Sequence, residues 1–325
     1  LIGHQPDAVL DLMLARRRKG NPPHGSGNDA RKLALIVEGG GMRGVLSAGA
    51  LLALDVLGFR TVFDEVYATS AGAVNAAYFL SGQGRLGITV YFDDINNRRF
   101  INPLRLWRIV DIGFVYDTIV TAVKPLNEKA LRAQPTDLFF SVTDLQTGEN
   151  DLLDVKALPE PVSQMLKATS ALPILYNRPV NIGGRAYVDG GASCTLPILQ
   201  AAERGCTDIL VVMTKGTDHQ PEQPTRLRKA ILFWALGRTY PKMMDAYDVL
   251  SDRNYKDRRL AAGLHKVEKV NVATVFPSAG ELVVDRMTID RKTLVLGAKR
   301  MAIRTAEMLS QDTVPVREAF AQYKL

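Results

Sequence analysis

Four glycines in six positions, Gly39-Gly40-Gly41-Met42-Arg43-Gly44, break an otherwise apolar stretch over residues 34–54. Few local structures accommodate such a break. The run before it, residues 32–37 (KLALIV), is short, continuous and apolar, which predicts a buried strand. The run after it, 45–57, is rich in Ala and Leu and predicts a helix. Glycine tolerates positive φ, so a loop of this kind lets consecutive backbone N–H groups converge on one anionic oxygen. The start of the following helix adds partial positive charge. Such a loop serves as a phosphate cradle or as an oxyanion hole, and the loop alone does not separate the two.

The rest of the chain extends the same pattern. Residues 62–68 predict a second strand and 71–80 a second helix. Further strands are expected at 138–144, 185–188, 208–214 and 270–277, and a late helix at 291–310. Alternating strands and helices imply an α/β fold with a mainly parallel central sheet covered on both faces. Residues 1–31 read as an N-terminal extension, with a short amphipathic helix at 8–14 and a Gly/Pro/Ser/Asn linker at 20–28. The domain is then expected over 32–325.

Composition narrows the function classes. With 46% hydrophobic and 23% charged residues in 325, the chain reads as soluble and globular. No stretch approaches the roughly 18 uncharged apolar residues of a membrane span. The first residues lack the order of a signal peptide, because Asp7 and Asp11 interrupt the apolar part and the basic block 16–19 follows it. Two cysteines, Cys194 and Cys206, are too few for a disulfide framework and fit a reducing, cytoplasmic compartment. His4, His24, His219 and His265 are scattered, so no metal or other cofactor is expected. The net charge of +7 is partly clustered, at 16–19 and at Arg226, Arg228 and Lys229. Its ordinary reading is solvated charge, and a nucleic-acid partner is not expected.

Function turns on whether a nucleophile accompanies the glycine loop. Ala68-Thr69-Ser70-Ala71-Gly72 sits between the second predicted strand and helix. A serine flanked by small residues on a sharp strand-to-helix turn is the pattern of a nucleophile elbow. Taken alone, Ser70 would simply be a helix N-cap. A serine nucleophile needs a base. None of the four histidines has a supporting motif, whereas Asp189 closes a short strand and is followed by Gly190 and Gly191. Those glycines permit a turn that aims the carboxylate out of the sheet, although Asp-Gly turns are common. The competing reading places Gly39, Gly41 and Gly44 in a dinucleotide fingerprint, with Asp64 or Glu65 as the acidic residue about twenty positions on.

The three elements in this order, G-G-G-x-R-G, S-A-G and D-G-G, resemble the patatin-like phospholipases. The segment A-T-S-A-L-P (168–173) and the short hairpin expected to lead into Asp189 are also similar to that family, and the likeness extends over about 32–310. Two positions depart from its pattern: Ala68 replaces the first elbow glycine, and Glu38 stands where an aspartate often precedes the loop. The resemblance implies a three-layer α/β/α fold and a Ser–Asp dyad without histidine. It assigns Ser70 as nucleophile and Asp189 as base. The oxyanion hole falls to the loop at Gly39, Gly40, Gly41, Met42, Arg43 and Gly44, with the N–H groups of Gly40, Gly41 and Met42 as donors and Arg43 bracing the loop or adding positive charge to it. The implied activity is hydrolysis of lipid carboxylic esters, of phospholipase A or lysophospholipase type. The alternatives left open are a lipid- or partner-binding chain without turnover, and the dinucleotide binder. Two segments mixing basic and apolar residues, 100–120 (with Arg105 and Arg108) and 226–244, suggest an acyl channel or peripheral membrane contact. Core packing is the plainer reading of each.

Overall fold

The computed structural model describes residues 4–20, 30–105, 109–173, 175–176, 178–217, 219–220, 223, 225–278 and 284–323. His24, Arg108 and the linker read at 20–28, apart from Gly20, lie outside them. The chain opens with helix α1 (Pro6–Arg18), followed by strand β1 (Leu33–Val37), the glycine loop and helix α2 (Gly44–Val56). Next come β2 (Glu65–Thr69) and helix α3 (Ala71–Leu80). The remaining strands are β3 (Asp137–Asp144), β4 (Asn150–Asp154), β5 (Val180–Ile182), β6 (Arg185–Asp189), β7 (Asp208–Val212) and β8 (Asn271–Val275). Hydrogen bonding links them in the order β5-β6-β3-β2-β1-β7-β8, with β4 also on β3.

The five strands β3, β2, β1, β7 and β8 run parallel, while β4, β5 and β6 pair antiparallel. Leu33, Leu35 and Val37 of β1 face one apolar layer with α1, α2, α3 and the helix Arg291–Met308. Ala34 and Ile36 face another with Ile198, Ala201, Leu260 and Ala261. Helices therefore cover both faces of the sheet. The alternation of burial follows the two-residue period of a strand. From β1 the chain steps to β2 and β3 on one side, and later to β7 and β8 on the other. The glycine loop leaves the carboxyl end of β1 at that reversal, the usual position for ligands in open α/β sheets.

Helix α1 is longer than the sequence predicts and is no separate extension. Val9 and Met13 are fully buried in the main core, and the Arg16 guanidinium reaches Asp64 at 2.7 Å and the Val62 carbonyl at 2.8 Å. Nothing local in the 16–19 block marks this role, because a long side chain's tertiary partner is invisible in the sequence around it. Two further helices, Lys242–Ala261 and Val314–Ala321, and strand β4 were not anticipated. Among the described residues, no helix is long and apolar enough to cross a membrane.

Candidate active site

Strand register brings the serine and the aspartate together. Along β3, β2 pairs up to Thr69–Ser141 and β6 begins at Asp189–Val142. β4 overlaps both, pairing with 139–143, so β2 and β6 must share the opposite edge of β3. Two antiparallel strands thus meet head-on along one edge, and their carboxyl ends carry Ser70 and Asp189. The Ser70 hydroxyl donates to Asp189 Oδ2 at 2.7 Å.

Ser70 is held in an unusual backbone conformation, φ 57° and ψ −129°. A non-glycine residue with positive φ carries strain that the surroundings must hold. Its side chain makes no cap to α3, so the N-cap reading of Ser70 fails, and its hydroxyl is used by Asp189 instead. The Ser70 N–H donates to Thr169 Oγ1 at 2.9 Å, and the Thr169 hydroxyl donates to the Ser141 carbonyl at 2.6 Å. Ser141 lies where the two strands meet, so Thr169 ties the serine turn to that junction.

The tight contacts of the turn fall on Gly72. A Cβ there would sit 2.4 Å from the Val37 carbonyl oxygen. Ala68, by contrast, is fully buried in the core within β2, so the departure at that position is accommodated. Gly39 is equally constrained, since its Cβ would lie 2.4 Å from the Thr69 oxygen and 2.8 Å from Ser70 Cβ. Gly44 yields its space to the Ala71 methyl, which a Cβ would approach to 2.7 Å. Gly190 would press its Cβ to 2.2 Å from the Ser141 oxygen.

Asp189 is buried, and burial raises its carboxyl to a pKa of about 6. The Ser70 hydroxyl, the Gly191 amide (2.7 Å to Oδ1) and the charge of Arg286 pull the other way. At neutral pH the carboxylate is ionised, with a pKa shifted far enough toward neutrality to mark a candidate functional group.

In the glycine loop, Gly40 (φ 140°) and Gly41 (φ 61°) occupy conformations that favour glycine. Among the described residues, the N–H groups of Gly39, Gly40 and Gly41 find no acceptor, whereas Met42 N–H donates to the Arg286 carbonyl at 3.1 Å. The sequence expectation for Met42 thus differs from the structure, because a distant loop occupies that amide. Arg43 lies over the loop, its Nε buried without a hydrogen-bond partner and its Nη1 3.7 Å from Asp285. Glu38 braces the loop from beneath. It accepts from Thr214 N at 2.6 Å and pairs with Arg258, while the Thr214 hydroxyl bonds the Gly39 carbonyl at 2.7 Å. Lys215, Arg258 and Arg286 carried no motif in the sequence, and convergence of loops distant in sequence brings them here.

The dinucleotide reading has no support in this geometry. Asp64 and Glu65 stand at the amino end of β2, away from the loop, and are ion-paired there to Arg16, Lys32 and Arg204. The carboxyl end of β2 carries Ser70. Of the histidines, His219 contacts Lys215 and His265 contacts Arg259, and the Ser70 hydroxyl goes to Asp189. Cys194 and Cys206 are buried free thiols.

The chain is 29% identical over 188 residues to the Escherichia coli (strain K12) protein called "Uncharacterized protein YjjU", covering 56% of this chain and 52% of that one. It is 28% identical over 241 residues to the Bacillus subtilis (strain 168) protein called "Uncharacterized protein YqhO", covering 66% and 80%. The crystal structure of VipD from Legionella pneumophila superposes with a TM-score of 0.41 at 15% identity, over 62% of this chain and 52% of that one. This chain therefore spans about half the length of YjjU and of VipD. The family model described as "Patatin-like phospholipase" matches residues 35–202, a little over half of the chain and the stretch from β1 past Asp189. The chain belongs to the patatin-like phospholipase family.

Proposed function

We propose that this chain hydrolyses carboxylic esters of lipids through Ser70 and Asp189. The observation that carries the reading is the 2.7 Å bond from the Ser70 hydroxyl to a buried carboxylate, made by a serine held at positive φ and not used as a cap. In the proposed reaction Ser70 Oγ attacks the ester carbonyl while Asp189 Oδ2 takes its proton. The N–H groups of Gly40 and Gly41, with Gly39 adjoining, stabilise the tetrahedral oxyanion, each donor contributing about 10²–10³ in rate. The proton passes from Asp189 to the leaving alcohol. Water, deprotonated by the same carboxylate, then releases the acyl group from Ser70. No histidine and no cofactor takes part in this scheme.

Access from a membrane surface fits the segment 226–244. Leu227 (71%), Trp234 (69%) and Phe233 (46%) are exposed there, beside Arg226, Arg228, Lys229 and Arg238. Exposed aromatic and aliphatic side chains among basic ones suit peripheral contact with acidic lipid. The other segment, 100–120, is mainly core: Phe100, Ile101, Val110, Ile112, Tyr116 and Ile119 are buried, and Arg105 pairs with Asp111.

The test is labelling by a fluorophosphonate probe together with release of p-nitrophenol from short acyl esters, comparing the parent with Ser70→Ala. Labelling and turnover that both vanish in the variant, with its melting transition retained, support the reading. A parent that neither labels nor turns over would point to a lipid- or partner-binding chain instead.

A further inference from the structure

Three glycines in a row leave the loop after β1 with little stiffness of its own. Turning over the peptide between Gly39 and Gly40 changes ψ of the first and φ of the second, and neither residue has a Cβ to resist it. The direction of that peptide nevertheless decides where the Gly40 N–H points, so a group outside the loop must hold it. The parallel pairing of β1 and β7 brings one there. Val37 stands opposite Val212, and Glu38 N–H donates to the Val212 carbonyl at 2.9 Å. Counting on, Gly39 comes level with Thr214 just beyond the two strands. The buried Thr214 hydroxyl donates to the Gly39 carbonyl at 2.7 Å. Thr214 is itself fixed from below. Its N–H donates to Glu38 Oε2 at 2.6 Å, and the other oxygen of that carboxylate takes Arg258. Glu38 Oε2 also lies 3.1 Å from the Thr214 hydroxyl, farther than the Gly39 carbonyl.

In a trans peptide the N–H points away from the carbonyl, on the side of the preceding Cα. That Cα here belongs to Gly39, whose Cβ would come within 2.8 Å of Ser70 Cβ. A Cβ on Gly40, on the carbonyl side, would instead lie 3.3 Å from Thr214 Oγ1. Holding the carbonyl on Thr214 thus turns the Gly40 N–H toward the serine turn. We propose that Thr214 is a positioning residue for the oxyanion hole, its hydroxyl fixing the Gly39–Gly40 peptide so that the Gly40 N–H meets the oxyanion formed at Ser70. The next peptide is held by backbone alone, since the Gly40 carbonyl accepts from Arg43 N–H at 3.3 Å, which leaves the Gly41 N–H on the opposite side. Donors aimed before the reaction cost no reorganisation during it, and Thr214 supplies that aim where glycine cannot. The role rests on Ser70 as the nucleophile and adds a residue that touches neither the substrate nor the dyad.

The test compares the parent with Thr214→Val, which keeps the side chain's shape without its hydroxyl, and Thr214→Ser, which keeps the hydroxyl. Each is assayed, per folded molecule, for p-nitrophenyl butyrate turnover and for inhibition by trifluoromethyl hexyl ketone and by the matching secondary alcohol. Ser70 Oγ adds to the ketone carbon, its proton passes to Asp189, and the carbonyl oxygen becomes an alkoxide facing the glycine loop. The alcohol fills the same space without that charge. Thr214→Val should lower kcat and weaken the ketone about 10–10²-fold, less than the loss of a whole oxyanion donor. KM and inhibition by the alcohol should stay within about twofold, and Thr214→Ser should restore the parent values. The acid limb of kcat/KM should not move, because the groups acting on the Asp189 carboxyl are Ser70, Gly191 and Arg286. A Val variant with parent kcat and ketone affinity overturns the role. So does equal weakening of ketone and alcohol, which makes Thr214 structural, or a displaced acid limb, which places its effect on the base. A parent that neither turns over esters nor binds the ketone more tightly than the alcohol sinks the hydrolase reading and this role with it. An active parent with an unchanged Val variant sinks the role alone.

Discussion

At the amino ends of β1, β2 and β7, the three buried acids are closed off by bases. Asp64 takes Arg16 at 2.7 Å, Asp208 takes Arg31, and Glu65 takes Lys32 at 2.8 Å and Arg204 at 3.2 Å. At the carboxyl ends of β1 and β2, where the end of β6 also lies, Ser70 is strained, and neither the buried Asp189 nor Arg286 has an ion-pair partner among the described residues. One end of the sheet spends its charges on holding helices and loops in place. In the proposed function the other keeps them available for a ligand and for proton transfer. Perturbed, incompletely paired groups mark functional sites, and a structure tolerates them only where the rest of the fold is secure.

The largest effect expected on this contrast is that of Asp189→Asn. Without the proposed base, ester turnover should fall about 10²–10⁴-fold. The same change should stabilise the fold at neutral pH. The folded pKa of about 6 lies above the ordinary carboxylate value of 3.8. The stability associated with protonated Asp189 is therefore fully present below that ordinary value and is lost as pH rises to about 6. Asn removes this loss, worth on the order of 2–3 kcal/mol. Denaturant midpoints should favour the variant at pH 8 and converge with the parent near pH 4. A variant that is less stable at pH 8 would mean that the site is not held under electrostatic load.

Arg16→Met tests the opposite end. Removing one partner from an ion pair whose side chains are only 3% and 5% exposed should cost about 3–5 kcal/mol. Activity per folded molecule should stay within a factor of two. A urea melt together with ester turnover at low temperature reads both. Turnover that fell with stability would show that the two ends are coupled.

How legible each end was in sequence follows from the same physics. The loop and elbow were legible because their constraints are local. Backbone approaches of 2.2–2.9 Å to a would-be Cβ force glycine at 39, 41, 72 and 190, and continuous apolar runs mark the buried strands beside them. Helix α3 falls on the residues predicted, and β1, β2 and β6 within a few. Arg16, Lys215, Arg258 and Arg286 were not legible, because a lone cation gains its role from a partner far along the chain. The helix Lys242–Ala261 escaped for a related reason. Its sequence is rich in charge, and its buried face includes Ser251, Asp257 and Arg258, so no apolar stripe announces it. The head-on meeting of β2 and β6 depends on register across three strands, which no local pattern encodes.

The pH dependence is a finer probe of the open end. The proposed reaction needs ionised Asp189, so kcat/KM should fall about tenfold per unit below a limb near pH 6. The groups acting on that carboxylate are the Ser70 hydroxyl, the Gly191 amide and Arg286. The Tyr116 phenol nearby stays neutral because burial raises it above its ordinary range. Arg286→Gln removes a cation that lowers the Asp189 pKa and should move the limb to higher pH. A limb that stays fixed would place Arg286 outside the site's electrostatics.

The smallest change is aimed at Thr169, whose hydroxyl accepts from Ser70 N–H and donates to the Ser141 carbonyl. Thr169→Val keeps the shape but leaves a buried amide and carbonyl unsatisfied, at about 1–3 kcal/mol. If that loss falls on the strained serine, kcat should drop about tenfold with KM nearly unchanged, and Thr169→Ser should restore it. Positive φ at Ser70 persists only while its neighbours over-determine it. Among the described residues, Thr169 is the one side chain that bonds both the serine backbone and the strand junction facing it. A Val variant with full kcat and a lower melting temperature would make Thr169 part of the closed framework, leaving the strain at Ser70 to be held by Gly39 and Gly72 packing alone.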